Sequence, residues 1–192
     1  ADTREQAWGL IHPLDEQVRN ILGPHIWGED EDTLAAGIGH LLRNRGLTLA
    51  VMESATGGAI GSAVTDVAGS SDYFKGSLVT YATPAKVTHG VPAEIPTMHG
   101  VISRETAEAM AQAARQRLDA DIGIGLTGIA GSEEVEGQSP GTMHIAITDG
   151  ARSDYQTYSY YQGRDAAKRR ATTVALDLLR RYLLDSTENS KP

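Results

Sequence analysis

An apolar run, Leu47 to Met52, stops abruptly at Glu53-Ser54-Ala55-Thr56-Gly57-Gly58, and this junction constrains the fold more than any other stretch. A short apolar run backed by turn residues predicts a buried strand. The residues after the glycines, about 57–67, read as a helix. A strand that feeds a glycine-rich turn and then a helix N-terminus makes a cradle suited to an anion, because backbone N–H groups are free there and the helix dipole adds partial positive charge. Glycine also lets a ligand approach the backbone closely. From this junction to Lys86 the chain carries Ser54, Thr56, Ser70, Ser71, Tyr81 and Lys86, the parts of a serine–lysine hydrolase.

The pattern extends in both directions. Residues 1–12 show no periodicity. Leu14, Val18, Ile21 and Leu22 fall at helical spacing, and Gly23-Pro24 stops that helix. An acidic patch, Glu29 to Asp32, reads as a linker or helix start. Leu34, Ile38, Leu41 and Leu42 then share one face of a helix that ends at Gly46. Residues 1–31 are thus expected to be an appendage, the tail of an upstream region, with the compact domain over 32–192. The chain opens on Ala1 rather than Met, which fits a piece of a longer protein.

Downstream, Gly69-Ser70-Ser71 breaks the helix pattern and Gly76 to Ala82 reads as a second strand. Thr83 caps a short helix with Pro84 in its first turn. The segment 90–100, with Pro92 and Pro96, reads as loop. Ser103 caps a long helix with Ala107, Met110, Ala111, Ala114 and Leu118 on one face. Asp121 to Thr127 is a strand, followed by a flexible stretch to Gly141. Thr142–Thr148 and Ser153–Tyr161 form strands joined around Asp149-Gly150, a hairpin signal. A last helix runs from about Arg164 to Leu184. Strands alternating with helices predict an α/β fold, a layered sandwich with a central mixed, mostly parallel sheet flanked by helices. Ligands in such folds sit beyond the carboxyl ends of strands. Three turns fall there: Ser54 to Gly58, Tyr81 to Lys86, and Thr127 to Gly131.

Composition removes several functions. A net charge of −8 argues against a nucleic-acid partner, since phosphate contacts need a basic face. The absence of cysteine excludes a thiol nucleophile, a disulfide framework and Cys-ligated zinc. No run approaches the roughly 18 apolar residues that span a membrane, and no secretory signal is visible, so a cytoplasmic protein with no membrane partner is expected. None of the six histidines forms a pair at metal-ligand spacing, so no metal is expected.

The chemistry-bearing residues also have plainer explanations. Ser54 and Thr56 suit helix capping, and a lone lysine is usually a solvated charge. For Lys86 to act as a base, its pKa must fall from about 10.4 to near 7, at a cost on the order of 4 kcal/mol. Burial in an apolar pocket beside Tyr81 would lower it, and Tyr81 could relay a proton or orient the amine.

ESATGG at 53–58, TDVAGSSDYF at 65–74, VTYATPAK at 79–86, LTGIAG at 126–131 and PGTMHIAI at 140–147, in that order, resemble the CinA C-terminal domain family from about Thr33 to Leu184. The resemblance implies a metal-independent and cofactor-free amidohydrolase that converts nicotinamide mononucleotide to nicotinic acid mononucleotide and ammonia. Its implied partners are a small-molecule nucleotide substrate and further copies of the chain in a homo-oligomer. It implies a serine with a lysine: Lys86 as base, Tyr81 as its neighbour, and Ser71 or Ser54 as nucleophile, with Ser71 favoured. Ser54, Thr56, Gly57 and Gly58 would then bind substrate or oxyanion, Thr83, Thr127 and Gly128 would line the pocket, and Arg164 or the glycine-rich turns would hold the phosphate. The chain departs from the family at three places. Ala55 stands where the family usually has Cys, Thr83 where it often has Asn, and Ser132–Gly137 where it typically reads Pro-Asp-Gly-Gly. The alternative expectation is a non-catalytic nucleotide-binding or assembly module on the same fold.

Overall fold

The computed structural model describes residues 1–188; the last residues of the expected domain, 189–192, lie outside the described residues. The chain divides into two compact units, Ala1–Thr33 and the residues from Leu34 onward. In the first, α1 spans Arg4–Leu22 and so takes in most of residues 1–12, where the sequence shows no periodicity. The start is set by capping chemistry rather than apolar spacing: the Thr3 side chain accepts a hydrogen bond from the Gln6 N–H. Pro13 lies inside the helix, where it forfeits one backbone bond without ending it.

The second unit holds a five-stranded sheet in the order β2-β1-β3-β4-β5. β1 is Leu49–Glu53, β2 Phe74–Val79, β3 Ile122–Gly128, β4 Thr142–Thr148 and β5 Ser153–Ser159. β1 pairs parallel with both β2 and β3, and β4 pairs antiparallel with β3 and β5. Four strands therefore run one way and β4 runs against them. The helices are α2 (Leu34–Arg45), α3 (Ala59–Thr65), α4 (Thr83–Thr88), α5 (Glu94–His99), α6 (Arg104–Arg117) and α7 (Arg164–Glu188). The segment expected to be loop over 90–100 contains α5. Pro96 lies in its first turn, where a missing N–H costs little.

The period of two along a strand sends alternate residues to opposite layers. Leu49 and Val51 join α2, α3 and α7 in the larger core, together with Ile122, Ile124 and Leu126. Ala50 and Met52 meet Met110, Ala113 and Ala114 of α6 on the other face. β3 shows why this second layer lies so close. A Cβ at Gly123 would fall 2.0 Å from the Ala111 carbonyl oxygen, and one at Gly125 the same distance from that of Ala107. Glycine at alternate positions lets the α6 backbone rest directly on the strand while the isoleucines between them fill the opposite core.

Candidate functional site

The parallel strands β1, β2 and β3 end together, and the turns after them converge. β1 ends in Glu53, and the glycine turn behind it has Gly57 at φ +64° and Gly58 at φ +100°, left-handed values that favour glycine at both. The expected anion cradle is present, but the chain's own carboxylate fills it. Glu53 is fully buried. Its Oε2 accepts from the Thr56 hydroxyl at 2.7 Å and from the Gly58 and Ile60 N–H groups, each at 3.1 Å. Its Oε1 accepts from the Gly61 N–H at 2.9 Å and the Ser77 hydroxyl at 2.7 Å. The Gly57 N–H donates to the Ser54 carbonyl at 3.1 Å. The Thr56 hydroxyl and the Gly57 and Gly58 N–H groups are thus already engaged within the turn, and none of the three residues lines the cleft described below, which corrects their expected role in holding substrate or oxyanion. Glu53 was the signal overlooked: an acidic residue at the end of an apolar strand, immediately before a helix N-terminus.

Ser54 comes next, and it meets Lys86. After β2, the short helix α4 turns back and drives Lys86 beneath the strand end. Ala82, not Thr83, occupies its N-cap position, leaving Thr83 as the first helical residue. The Lys86 side chain is 0% exposed. Its Nζ donates to the Thr80 carbonyl at 2.8 Å, the Tyr81 carbonyl at 3.3 Å and the Ser54 Oγ at 3.0 Å. Burial lowers its pKa from 10.5 to about 8, and the Glu136 carboxylate pulls the other way. Tyr81 reaches the lysine through its backbone oxygen, and its side chain is 65% exposed.

Ser71 is elsewhere within the protomer. It lies exposed in the 3-10 turn Ser70–Asp72, ahead of β2, whereas Lys86 follows that strand. A six-residue strand spans about 20 Å, so the expected pairing of Ser71 with Lys86 is corrected in favour of Ser54. A motif that brings two serines near each other in sequence does not reveal which end of a strand each occupies.

Ser54 opens into a cleft of about 570 Å³. Tyr81, Thr83, Thr127, Gly128 and Arg164 line it, so these expected site residues come together. The Thr127 hydroxyl is turned inward, donating to the Val101 carbonyl at 2.8 Å. The segment before α6 and the loop after β3 complete the cleft. Glu136 Oε2 accepts from the Ile102 N–H at 2.9 Å, and Gln138 Nε2 donates to the Ile102 carbonyl at 2.6 Å. His144 Nε2 stands 3.2 Å from Gln138 Oε1 and fixes that amide in turn. Val101 and Ile102 were not anticipated as wall residues, and Glu136 entered only as part of the departure over Ser132–Gly137, because nothing local in the sequence ties residues 100–102 to 136–138. Among the described residues no acceptor engages the Ala55 N–H, which borders the cleft beside Ser54. Also among them, no group of three or more histidine or carboxylate side chains stands close enough to hold a metal ion, and no helix is long and apolar enough to cross a membrane.

The fold has counterparts among solved structures. A CinA superfamily protein from Klebsiella pneumoniae superposes with a TM-score of 0.76 at 27% identity, over 79% of this chain and 96% of that one. A competence/damage inducible protein from Agrobacterium tumefaciens gives 0.74 at 32% identity, over 80% and 96%. A putative competence-damage inducible protein of Symbiobacterium thermophilum is 39% identical over 93% of this chain and 45% of its own length. A CinA-like protein of Geobacter sulfurreducens is 42% identical over 96% and 45%. The chain therefore spans about half the length of the curated relatives it matches. The model of the CinA C-terminal domain matches residues 31–183, and the chain belongs to that family.

Proposed function

We propose that this domain is a metal-independent amidohydrolase that cleaves the carboxamide of nicotinamide mononucleotide, with Ser54 as nucleophile and Lys86 as base. The observation that carries the reading is the hydrogen-bond inventory around the Lys86 nitrogen. An ammonium has three N–H donors, and it finds three acceptors: two backbone carbonyls and the Ser54 Oγ. A neutral amine keeps two donors and one lone pair. The carbonyls can only accept, so they retain the two N–H groups. The lone pair is then left facing the one partner that owns a proton, the Ser54 hydroxyl. Loss of a single proton thus converts a structural lysine into a general base already in line with its nucleophile. Burial, which brings the pKa to about 8, makes that loss accessible near neutrality.

The reaction then balances without a metal. Ser54 Oγ attacks the amide carbon and its proton passes to Lys86. The Ala55 N–H, unengaged among the described residues and bordering the cleft beside Ser54, is a donor suited to the tetrahedral oxyanion. Lys86 returns the proton to the leaving nitrogen, and ammonia departs from an acyl ester on Ser54. Water attacks the ester with Lys86 again taking the proton, and the acid leaves as Ser54 is restored. The substrate class comes from the family resemblance of the motifs; the cleft volume, a single lining guanidinium at Arg164 for the phosphate, and the exposed Tyr81 ring support it.

Ammonia release from nicotinamide mononucleotide tests the reading. Ser54→Ala and Lys86→Ala are each expected to lower kcat by about a thousandfold or more, and Ser71→Ala to stay within about twofold. Full activity in Ser54→Ala, or loss confined to Ser71→Ala, would overturn the assignment of the nucleophile.

A further inference from the structure

The cleft is electrically two-sided. Glu133 and Glu136 border it, and Arg164 is the one basic residue that lines it among the described residues. A site that served only to bind a phosphorylated molecule would gain nothing from two carboxylates. Glu136 is also placed with care. It adopts φ +53°, a left-handed value that a non-glycine residue seldom takes. Its Oε2 is pinned by the Ile102 N–H, and a Cβ on Gly100 would lie 2.7 Å from that oxygen, so the glycine makes room for it. Among the described residues Oε1 has no partner, and Glu136 borders the same cleft as Ser54.

We propose that Glu136 selects substrates by the positive charge of their ring, favouring a carboxamide on an N-alkylated pyridinium over the same nucleotide with a neutral ring. This deepens the proposed function and rests on it for the identity of the nucleotide. The exposed Tyr81 ring on the same cleft adds an aromatic face, which attracts cations. The charged groups on this cleft divide the substrate between them: Arg164 suits the phosphate, Glu136 with Glu133 the ring. Buried Lys86 stands behind Ser54, and the charge it senses is that of Glu136. A cationic ring that neutralises Glu136 therefore also favours release of the Lys86 proton, so substrate charge helps to generate the base.

Oxidised and reduced nicotinamide mononucleotide provide the test, since they share ribose, phosphate and carboxamide and differ in ring charge. Their binding is measured by calorimetry with Ser54→Ala, which cannot turn over, and with Ser54→Ala/Glu136→Gln. Glutamine keeps an acceptor for the Ile102 N–H and removes only the charge. Ser54→Ala is expected to bind the oxidised form about tenfold more tightly, the scale of one partly screened charge pair. Glu136→Gln should erase that preference by weakening the oxidised form alone. An equal loss for both forms, an unchanged preference, or no binding of either nucleotide would overturn the inference. Ammonia release by the unmodified protein reports on the hydrolase separately. An inactive protein that still prefers the oxidised form through Glu136 would leave the inference standing and remove the enzyme.

Discussion

In the proposed reaction Lys86 is the residue on which both chemistry and stability turn, and each has its own pH range. A base must be unprotonated, so kcat/KM for nicotinamide mononucleotide should climb as pH rises, reach half its limit near pH 8, where the free protein's lysine titrates, and level off above. Glu136 raises that midpoint by favouring the ammonium, so Glu136→Gln should move it to lower pH. A midpoint that ignores Glu136, or a flat profile from pH 6 to 9 with chemistry rate-limiting, would count against the assignment. The stability effect has the same origin, the lowered pKa, and a calculable sign. The folded pKa is lowered from 10.5 to about 8. Between those values the unfolded chain holds a proton that the folded one has lost, so this group's contribution to stability rises with pH across that window and is constant below it. Urea titrations from pH 7.5 to 10.5 should show a gain on the order of 3 kcal/mol in the unmodified protein relative to Lys86→Met. Parallel curves for the two would mean that the lysine is not desolvated as its burial indicates.

The turn between β1 and α3 is the element that holds this residue pair in place, and its keystone is Glu53. Five donors converge on one buried carboxylate. Glu53→Gln replaces one acceptor oxygen with an NH₂ group that faces donors, and should cost about 3 kcal/mol, or a fall in Tm of roughly 6–12 °C for a domain of this size. A loss below 2 °C would show that water replaces the carboxylate at little cost. β3 and α6 form the second critical element pair. Gly125→Ala places a methyl group against the Ala107 carbonyl, where backbone rather than a flexible side chain must move, so it should destabilise by about 3 kcal/mol. Most of this was legible in the sequence at the level of element type. The strands, the Ser103-capped helix and the long last helix follow from periods of two and of 3.6 and from caps. The engagement of the turn donors was not, because the pattern that advertises an anion site also describes a site whose anion is a side chain of the same chain. Glu53 differs from a solvated glutamate only by what surrounds it after folding.

At the scale of the molecule, the cleft belongs to no single segment. Ser54, Tyr81, Ile102, Gly128, Glu136 and Arg164 come from six places in the chain and meet because parallel strands end on one edge. The sequence motifs contain three of these six, Arg164 came from the family resemblance, and the remaining two, Ile102 and Glu136, meet through a long-range bond from a backbone N–H to a side-chain carboxylate that no local pattern encodes. Every residue of the cleft and of the three cores falls within the unit that begins at Leu34. The solved relatives match over 96% of their own length while covering about four-fifths of this chain, so chains of that extent form the fold by themselves. The unit Ala1–Thr33 contributes no member to those cores, and no residue of α1 is buried. A chain that starts at Leu34 should therefore unfold in one cooperative transition within about 3 °C of the longer chain and release ammonia from nicotinamide mononucleotide at the same kcat within about twofold. Because α1 is amphipathic, with Trp8, Ile11, Val18 and Leu22 exposed, its removal should also lower any tendency to associate through that face, which light scattering would detect. A shortened chain that melts much earlier, or that folds normally but loses turnover, would assign the first unit a part in building the cleft.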